Sequence, residues 1–248
     1  MRNKIKKLIN KLGYNISRIN RKIDPINFDE LLIEKVEKIN PIIFDVGGNT
    51  GQSVSKFKKI FNNPIIHSFE PNKTVFEIMI NNFQNDKKVF CNNCALGDKN
   101  EEKDFNITNM SGKSSFYKIN PDTNRIKIER YKPSILKTEK VKIIKLDDYI
   151  EEKKIDHIDF MKIDAQLYED KILKGSLNTL QNNKIKILQV EILFNDYYEK
   201  YFTFSDIEKY LISNNFRMVG IDMINNNIFK GPQFGADAYY FNKKYYKV

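Results

Sequence analysis

Glycines and acidic residues stand at spacings that suit the binding of a nucleoside cofactor. A glycine-rich turn, residues 47–51, directly follows the short apolar segment Ile42–Val46. Glycine lets the backbone approach a ligand closely, and the helix expected after the turn offers unpaired N–H groups. Glu70 follows the next apolar segment, Ile65–Phe69, and an acid at the end of a second strand commonly binds the two hydroxyls of a ribose. The pattern therefore predicts a nucleoside-cofactor site, with an ordinary strand-to-helix turn as the alternative.

Asp45 discriminates between the cofactors that such a turn can bind. The dinucleotide pattern is not met, because Gly47, Gly48 and Gly51 are spaced differently. A carboxylate before the turn would repel a pyrophosphate, but it suits a ligand that carries an ammonium group. S-adenosylmethionine (SAM) has an amino acid tail, a sulfonium and no phosphate, so the charges favour SAM over NAD. The residues expected around SAM are Asp45, Gly47, Gly48, Asn49, Gly51, Ser53, Glu70, Pro71, Ala95, Leu96 and Asp164.

The composition fits one α/β domain of a cytoplasmic protein. The chain has 248 residues, of which 41% are hydrophobic, and no run of about 18 apolar residues suggests a membrane span. The basic amino terminus lacks the continuous apolar segment of a secretory signal. Cys91 and Cys94 have no second cysteine pair beside them, which favours reduced structural thiols over zinc ligands. We therefore expect a cytoplasmic location.

The net charge of +10 would suit an anionic partner. Most of this excess is spread along the chain, but residues 1–22 contain eight basic residues and no acid. Apolar residues recur among them at helical spacing and predict a basic amphipathic helix. This helix could dock on an anionic surface at the inner membrane face, or pack on the domain with a solvated lysine face. We expect residues 1–40 to form a basic helical extension and residues 41–248 to form a SAM-dependent methyltransferase domain.

Apolar segments alternate with helical patterns along the remainder of the chain. Further strands are expected at residues 89–95, 141–144, 157–163, 185–190, 216–221 and 236–241. Alternating strands and helices that end in an antiparallel pair predict a Rossmann-like α/β fold. The expected form is the seven-stranded class I methyltransferase sheet, with helices on both faces and the last strand antiparallel.

A long segment between the third and fourth of these strands shows no clear periodicity. Residues 98–140 contain a polar, glycine-containing loop at 109–115. A long segment with a weak pattern is usually functional or a local insertion, so we expect short strands and loops that cover the substrate side. The residues expected to bind the acceptor are Ser114, Ser115, Gln166, Tyr168 and Asn195.

Five motifs occur in the order that one known family shows. They are Asp45-Val46-Gly47-Gly48-Asn49-Thr50-Gly51, Phe69-Glu70-Pro71, Ala95-Leu96-Gly97, Leu146-Asp147-Asp148-Tyr149 and Lys162-Ile163-Asp164. Over residues 41–241 the sequence resembles the FkbM-type SAM-dependent methyltransferases. The resemblance implies a Rossmann-like fold and O-methylation of a hydroxyl, commonly on a glycan, polyketide or similar natural product. It also implies that SAM is surrounded by Asp45, Gly47, Asn49, Gly51 and Glu70.

One position departs from the family pattern. After the Lys-Ile-Asp motif the family usually continues with an acidic or amide residue, then glycine, then an aromatic residue and glutamate. Here Gln166 is followed by Leu167, so leucine stands where glycine is expected. The resemblance places that glycine beside the reactive end of the cofactor. Leu167 is therefore expected either to narrow the acceptor pocket or to weaken or alter activity.

Methyl transfer from a sulfonium to a hydroxyl needs positioning and a group that accepts the proton. His67 lies inside one predicted strand and His157 begins another at the end away from the crevice, which favours structural roles for both. Asp164 and Glu191 stand at the carboxyl ends of predicted strands and are the expected catalytic residues, with Asp164 as the general base. Helix capping, a salt bridge to a lysine, or a divalent metal held by both carboxylates are the alternatives.

Three functions remain open at this level. The first is an O-methyltransferase that acts on a sugar, nucleotide sugar or related acceptor, with no nucleic-acid partner. The second is a nucleic-acid methyltransferase, which the basic charge permits. However, the chain has neither the Asn/Asp-Pro-Pro-aromatic motif of base methylation nor a basic stripe with stacking aromatics. The third is a non-catalytic SAM-binding module, for which Leu167 is the only support.

Overall fold

The computed structural model describes residues 27–122, 133–194, 196–224 and 235–247. They form a seven-stranded sheet, a three-stranded sheet and the helices that pack on them. The strands are β1 Ile42–Val46, β2 Ile65–Phe69, β3 Val89–Asn92, β4 Ala95–Leu96, β5 Glu101–Thr108, β6 Ile135–Ile144, β7 Ile158–Ile163, β8 Ile185–Leu193, β9 Phe216–Ile224 and β10 Gly235–Asn242. The helices are α1 Phe28–Lys35, α2 Gln52–Ile60, α3 Lys73–Phe83, α4 Leu146–Lys153, α5 Glu169–Lys174, α6 Leu177–Gln181 and α7 Phe204–Leu211, and short 3₁₀ turns cover Ser111–Lys113 and Ile212–Asn214.

The large sheet has the strand order β3-β2-β1-β7-β8-β10-β9. The first five strands in this order pair in parallel, whereas β10 runs antiparallel to both β8 and β9. The order reverses at β1, so the carboxyl ends of β1 and β7 lie side by side and leave a crevice between the loops that follow them. The predicted fold class, with its antiparallel last strand, is confirmed.

Apolar side chains cover both faces of this sheet. On one face, Ile43 of β1 and Phe160 of β7 belong to a core cluster with side chains of α1 and α2. On the other face, a larger cluster joins β1, β7 and β8 to α4, α5 and α7. Burial on both faces explains why β1 and β7 read as nearly continuous apolar segments.

The small sheet corrects two expectations about residues 89–144. A single strand over residues 89–95 is wrong, because β3 ends at Asn92 and Ala95 pairs with Ile143 of β6 in the other sheet. The expected short strand at 141–144 is the end of β6, which has 10 residues and pairs antiparallel with β5. The 3₁₀ turn Ser111–Lys113 follows β5.

Strand β8 is longer than the sequence pattern indicated. The expectation placed the strand end just before Glu191, but β8 continues to Leu193 because Gly235 of β10 pairs with that residue. Glu191 therefore lies inside the strand and not after it. Its side chain nevertheless faces the cavity described below.

Two expectations fall outside the described residues. They are the basic amphipathic helix over residues 1–22 and the acceptor-binding role of Asn195. Within the part of the chain that the structure describes, none of the helices combines the length and apolar character that a bilayer crossing requires.

Candidate active site

A cavity of about 590 Å³ opens at the carboxyl ends of β1, β2 and β7. Its lower wall is the loop after β1, its apolar side contains Phe69, Pro71 and Leu96, and the 3₁₀ turn Ser111–Lys113 covers it. This volume lies within the range of small-molecule and cofactor sites. The cavity is where a doubly wound sheet of this order binds its ligand.

The turn between β1 and α2 is held close to its neighbouring strands. The N–H groups of Gly47 and Gly48 both donate to the carbonyl oxygen of Phe69, at 3.0 Å each. Gly47 has a φ of +86°, and a Cβ at that position would lie 1.9 Å from the carbonyl oxygen of Asp164. Only glycine lets the turn lie this close to the end of β7. The turn and the end of β7 therefore form one continuous wall.

Glu70 lies directly after β2 with both carboxylate oxygens engaged. Oε2 accepts from the N–H of Asn49 at 2.9 Å, and Oε1 accepts from the N–H of Asn72 at 2.8 Å. Glu70 lines the cavity, and each of its carboxylate oxygens can accept a second hydrogen bond. Burial outweighs these hydrogen bonds and raises the pKa of Glu70 to about 7.

Asp45 lies beneath the turn and is fully buried. Its Oδ2 accepts from the hydroxyl of Ser68 at 3.1 Å, whereas Oδ1 is buried and accepts no hydrogen bond from the described residues. Burial raises the pKa of Asp45, although nearby Lys162 opposes this. The hydroxyl of Ser53 also lies close enough to oppose the raised pKa of Asp45, so a protein donor lies within reach of this carboxylate.

A half-buried ion pair lies at the end of β7. The ammonium of Lys162 is 2.9 Å from Oδ2 of Asp164. Burial alone would raise the pKa of Asp164, but Lys162 and a hydrogen bond from Gln166 outweigh it and hold the pKa below the usual range. The Asp164 side chain keeps 32% of its surface accessible, and it lines the cavity. Asp164 is therefore an ionised carboxylate that faces the cavity.

Gln166 joins Asp164 to Glu191. Its Nε2 donates to Oδ1 of Asp164 at 3.1 Å and to Oε2 of Glu191 at 2.7 Å. Its Oε1 accepts from the hydroxyl of Tyr198 at 2.8 Å. Burial raises the pKa of Glu191 well above its ordinary value, and the charges of Asp164 and Glu169 add to this. The two carboxyl groups thus lie together at one end of the cavity.

The backbone of this loop is left-handed at two successive non-glycine residues. Gln166 has a φ of +50° and Leu167 a φ of +73°. Leu167 thus adopts the conformation for which glycine is favoured, at a cost in strain. Its side chain is buried in the larger core cluster and does not line the cavity. The expectation that Leu167 narrows the acceptor pocket is therefore wrong, because the side chain points into the core.

The cover of the cavity contacts both the turn and the loop. Ser111 and Asn49 exchange side-chain hydrogen bonds at 3.3 Å. Ser114 lines the cavity and accepts from the N–H of Thr108 at 3.1 Å. The hydroxyl of Ser115 instead donates to the backbone carbonyl of Gln166 at 2.7 Å. Ser115 therefore supports the loop from behind.

The cavity brings together most of the residues that the sequence singled out. Those that line it are Gly47, Gly48, Asn49, Ser53, Glu70, Pro71, Ala95, Leu96, Ser114, Asp164, Gln166, Tyr168 and Glu191. Asp45, Gly51 and Ser115 lie behind its wall. Gly51 precedes α2 with a φ of +92°, and Phe83 packs against it where a side chain would start.

Sequence reasoning missed several residues of the site. The cavity is also lined by Gln52, Phe105, Lys113, Phe116 and Lys162. Lys162 belongs to the Lys-Ile-Asp motif, but its residue type alone indicates no role in the site. Phe105 and Phe116 belong to the segment without clear periodicity, and their rings pack together at 4.9 Å. No sequence pattern marks Tyr198 as a residue of the site, because it follows β8 in an irregular segment.

The histidines lie away from the cavity. Nδ1 of His67 is 2.8 Å from the hydroxyl of Tyr149, and burial lowers the pKa of His67 to about 4. His157 lies beside Lys38 and Asp159 at the opposite end of β7. Among the described residues, no group of three or more histidine, cysteine, aspartate or glutamate side chains could hold a metal ion.

The donors and acceptors of the cavity fit SAM. Glu70 presents a carboxyl group to the cavity, and Phe69 and Leu96 form its apolar side. Asp164 adds an ionised carboxylate, which suits a cationic ligand such as a sulfonium. The carboxylates at the turn would disfavour a pyrophosphate.

Sheet order, glycine turn and the acid after β2 together define a Rossmann-like SAM-dependent methyltransferase. Residues 45–218 match the family model of the methyltransferase FkbM domain. The chain belongs to this family, and SAM is its cofactor. No curated protein matches the chain.

The chain is similar, at low sequence identity, to solved structures of other methyltransferases. An rRNA methylase from Streptococcus thermophilus is 10% identical, with a TM-score of 0.48 over 91% of this chain and 99% of that one. Precorrin-6y C5,15-methyltransferase from Geobacter metallireducens is 9% identical, with a TM-score of 0.45 over 91% and 93%. Fibrillarin from Aeropyrum pernix, with natively bound SAM, is 9% identical, with a TM-score of 0.45 over 83% and 68%. Similarities this low carry no argument about the acceptor.

Proposed function

We propose that the protein transfers a methyl group from SAM to a hydroxyl of a sugar, nucleotide sugar or related glycan or natural-product acceptor. The observation that carries this proposal is the group of Asp164, Gln166 and Glu191 at one end of the cavity. Carboxyl and amide groups suit the recognition of several hydroxyls at once. A hydroxyl also needs a base that removes its proton, and Asp164 is the ionised carboxylate at that position.

The cofactor end of the cavity would hold SAM through residues on three loops. SAM, when bound, supplies an electrophilic methyl group on its sulfonium. Glu70 would accept hydrogen bonds from the ribose hydroxyls, and its fixed position supports this role. Pro71, Ala95 and Leu96 would flank the adenine. The ionised carboxylate of Asp164 would attract the ammonium group of the amino acid tail, and Asn49, Gln52 and Ser53 line the adjoining wall of the cavity.

The acceptor end would hold the hydroxyl that is methylated. Asp164 would accept its proton, because Lys162 keeps this carboxylate ionised. Glu191 would orient the acceptor through a neighbouring oxygen, and Ser114 and Tyr168 line the adjoining wall. Positioning of this kind supplies much of the rate of an in-line displacement.

A panel of acceptors tests the proposal. SAM consumption is measured with nucleotide sugars and free sugars, with RNA, and with buffer alone. Methylation of a sugar hydroxyl, located by mass spectrometry, is the expected result. Methylation of RNA alone would replace the proposal with nucleic-acid methylation. If the protein binds SAM but methylates none of these acceptors, it is a non-catalytic SAM-binding module and the sugar proposal is wrong.

A further inference from the structure

The hydroxyl of Tyr198 contacts the Gln166 amide, which joins the carboxyl groups of Asp164 and Glu191. Tyr198 follows β8 and is 1% exposed. Its hydroxyl lies 2.8 Å from Oε1 of Gln166 and 3.2 Å from the carbonyl oxygen of Lys113. A phenol has one proton, so it donates fully to one acceptor at a time. The shorter distance favours Gln166.

The charges around Gln166 decide which way its amide faces. Asp164 is ionised because Lys162 lies 2.9 Å away, so Asp164 can only accept hydrogen bonds. The NH₂ group of Gln166 must face Asp164, since a carbonyl oxygen there would be repelled. Oε1 then faces Tyr198 and requires a donor, which the phenol provides. The loop itself is held by Ser115, whose hydroxyl donates to the backbone carbonyl of Gln166 at 2.7 Å.

The neighbours of Glu191 determine how many protons the two carboxyl groups carry. Acidic groups surround it: Asp164 directly after β7, Glu169 on α5 and Asp237 opposite it on β10. The positive groups are Lys113 on the cover and Lys162 beyond Asp164, and Tyr198 is the remaining titratable neighbour. Two adjacent carboxylates repel each other strongly, and both groups accept from the same Gln166 amide, at 3.1 and 2.7 Å. Burial raises the pKa of Glu191 whereas Lys162 holds that of Asp164 low, so Glu191 is the member of the pair that holds a proton more readily.

We propose that Tyr198 is a positioning residue: its hydroxyl fixes the Gln166 amide so that the amide NH₂ group holds Asp164 and Glu191 together as a pair carrying one proton. In this arrangement Asp164 is the only member that can accept a further proton. That an acceptor hydroxyl gives its proton to this pair rests on the proposed function. The arrangement itself is a property of the free protein and is tested without SAM or acceptor.

The first measurement follows the Gln166 side-chain NH₂ group by ¹H–¹⁵N NMR, assigned by its disappearance in Gln166→Leu. In the wild type both protons are hydrogen-bonded, so their exchange with solvent is slow. Tyr198→Phe removes one hydrogen bond, and a loss of that size corresponds to exchange about 10-fold faster. Tyr240→Phe is the matched control, because that buried hydroxyl has no hydrogen-bond partner among the described residues. Unchanged exchange in folded Tyr198→Phe would overturn the positioning role.

The second measurement counts the protons of the pair in the wild type. Side-chain carboxyl ¹³C signals of Asp164 and Glu191 are assigned with Asp164→Asn and Glu191→Gln. At pH 7 we expect one signal at the position of an ionised carboxylate and one at that of a carboxylic acid. Two ionised signals would overturn the single-proton pair, and this test holds even if Tyr198→Phe fails to fold. A failed acceptor panel with both NMR results as expected would refute only the sugar proposal.

Discussion

The backbone N–H of Asn49 donates a 2.9 Å hydrogen bond to the carboxylate of Glu70. This bond joins the glycine turn after β1 to the acid after β2, so the two parts of the cofactor site are held in one position relative to each other. A second N–H, from Asn72, holds the other oxygen of the same carboxylate. The carboxylate is therefore fixed before any ligand arrives, which reduces the entropic cost of binding.

Glu70→Ala should weaken SAM binding by about 30- to 100-fold. The change removes charge-assisted hydrogen bonds to the ribose, which are worth about 2–3 kcal/mol. Isothermal titration calorimetry measures the affinity. The control is Glu77→Ala, which removes an exposed carboxylate from α3. Unchanged affinity in a folded Glu70→Ala protein would remove the ribose role.

SAM affinity should fall as the pH falls below 7. The pKa of Glu70 is raised to about 7 by burial, so the carboxyl of the free protein takes up a proton as the pH decreases through that value. Binding to the ionised form must then displace this proton, and the affinity should decrease by up to about 10-fold per pH unit. Glu70→Gln has no such group, and its affinity should lack this dependence. Parallel pH profiles of the two proteins would contradict the assignment.

Asp164→Asn should abolish most turnover while SAM affinity is retained. The substitution keeps the shape of the side chain and removes its basicity, and loss of a general base typically costs about 10²–10⁴ in rate. The measurement is turnover with an acceptor found by the panel, beside calorimetry with SAM. Turnover within about threefold of the wild type would place the base elsewhere. Loss of SAM binding would make Asp164 a cofactor ligand and leave Glu191 as the base.

Substitutions of Leu167 test whether its backbone is strained. Alanine is usually less destabilising than glycine, and strain at this position should reverse that order of stability. Leu167→Ala loses a buried side chain, at about 2–5 kcal/mol, and keeps the left-handed conformation. Leu167→Gly loses the same side chain but relieves strain of about 1–2 kcal/mol. We therefore expect the glycine variant to be the more stable of the two, by about 1 kcal/mol in denaturant unfolding. An alanine variant as stable as the glycine variant would show that the position is not strained.

Stability should decrease between pH 6.5 and pH 8. Burial raises the pKa of Glu169 to about 8 and that of Glu70 to about 7, whereas both groups are already ionised in the unfolded chain in this range. The folded state therefore binds more protons, and its free energy of unfolding falls by up to about 1.4 kcal/mol per pH unit for each group until the pH passes the folded-state pKa of that group. Glu70 contributes mainly below pH 7, and Glu169 dominates the slope between pH 7 and pH 8. Denaturant unfolding at several pH values measures the slope. Glu169→Gln should flatten it, and an equal slope in that variant would be inconsistent with this origin.

The local patterns were sufficient to predict the cofactor side of the molecule. Strands β1 and β2 are buried on both faces, so each reads as an apolar segment, and the glycines and Glu70 follow them directly in sequence. The small sheet gave no such signal. Strand β6 exposes most of its side chains, so its lysines and threonine hide the alternation that a half-buried strand would show.

The acceptor side depends on contacts between distant segments. Tyr198 reaches Gln166 across 32 positions of sequence, and no local pattern encodes such a contact. The direction of the Leu167 side chain is likewise set by a backbone conformation that its residue type disfavours. The sequence showed that this position was unusual, but only the fold shows that its side chain points into the core.

The contact between Gly47 and the carbonyl of Asp164 restricts how this enzyme can be redesigned. Any side chain at position 47 would push the end of β7 away, so cofactor affinity and acceptor chemistry would change together and no selection could improve one alone. The cover at Ser111–Lys113 meets the turn through hydrogen bonds between the side chains of Asn49 and Ser111, which a substitution can change without displacing β7. Libraries intended to alter acceptor choice should therefore be built there.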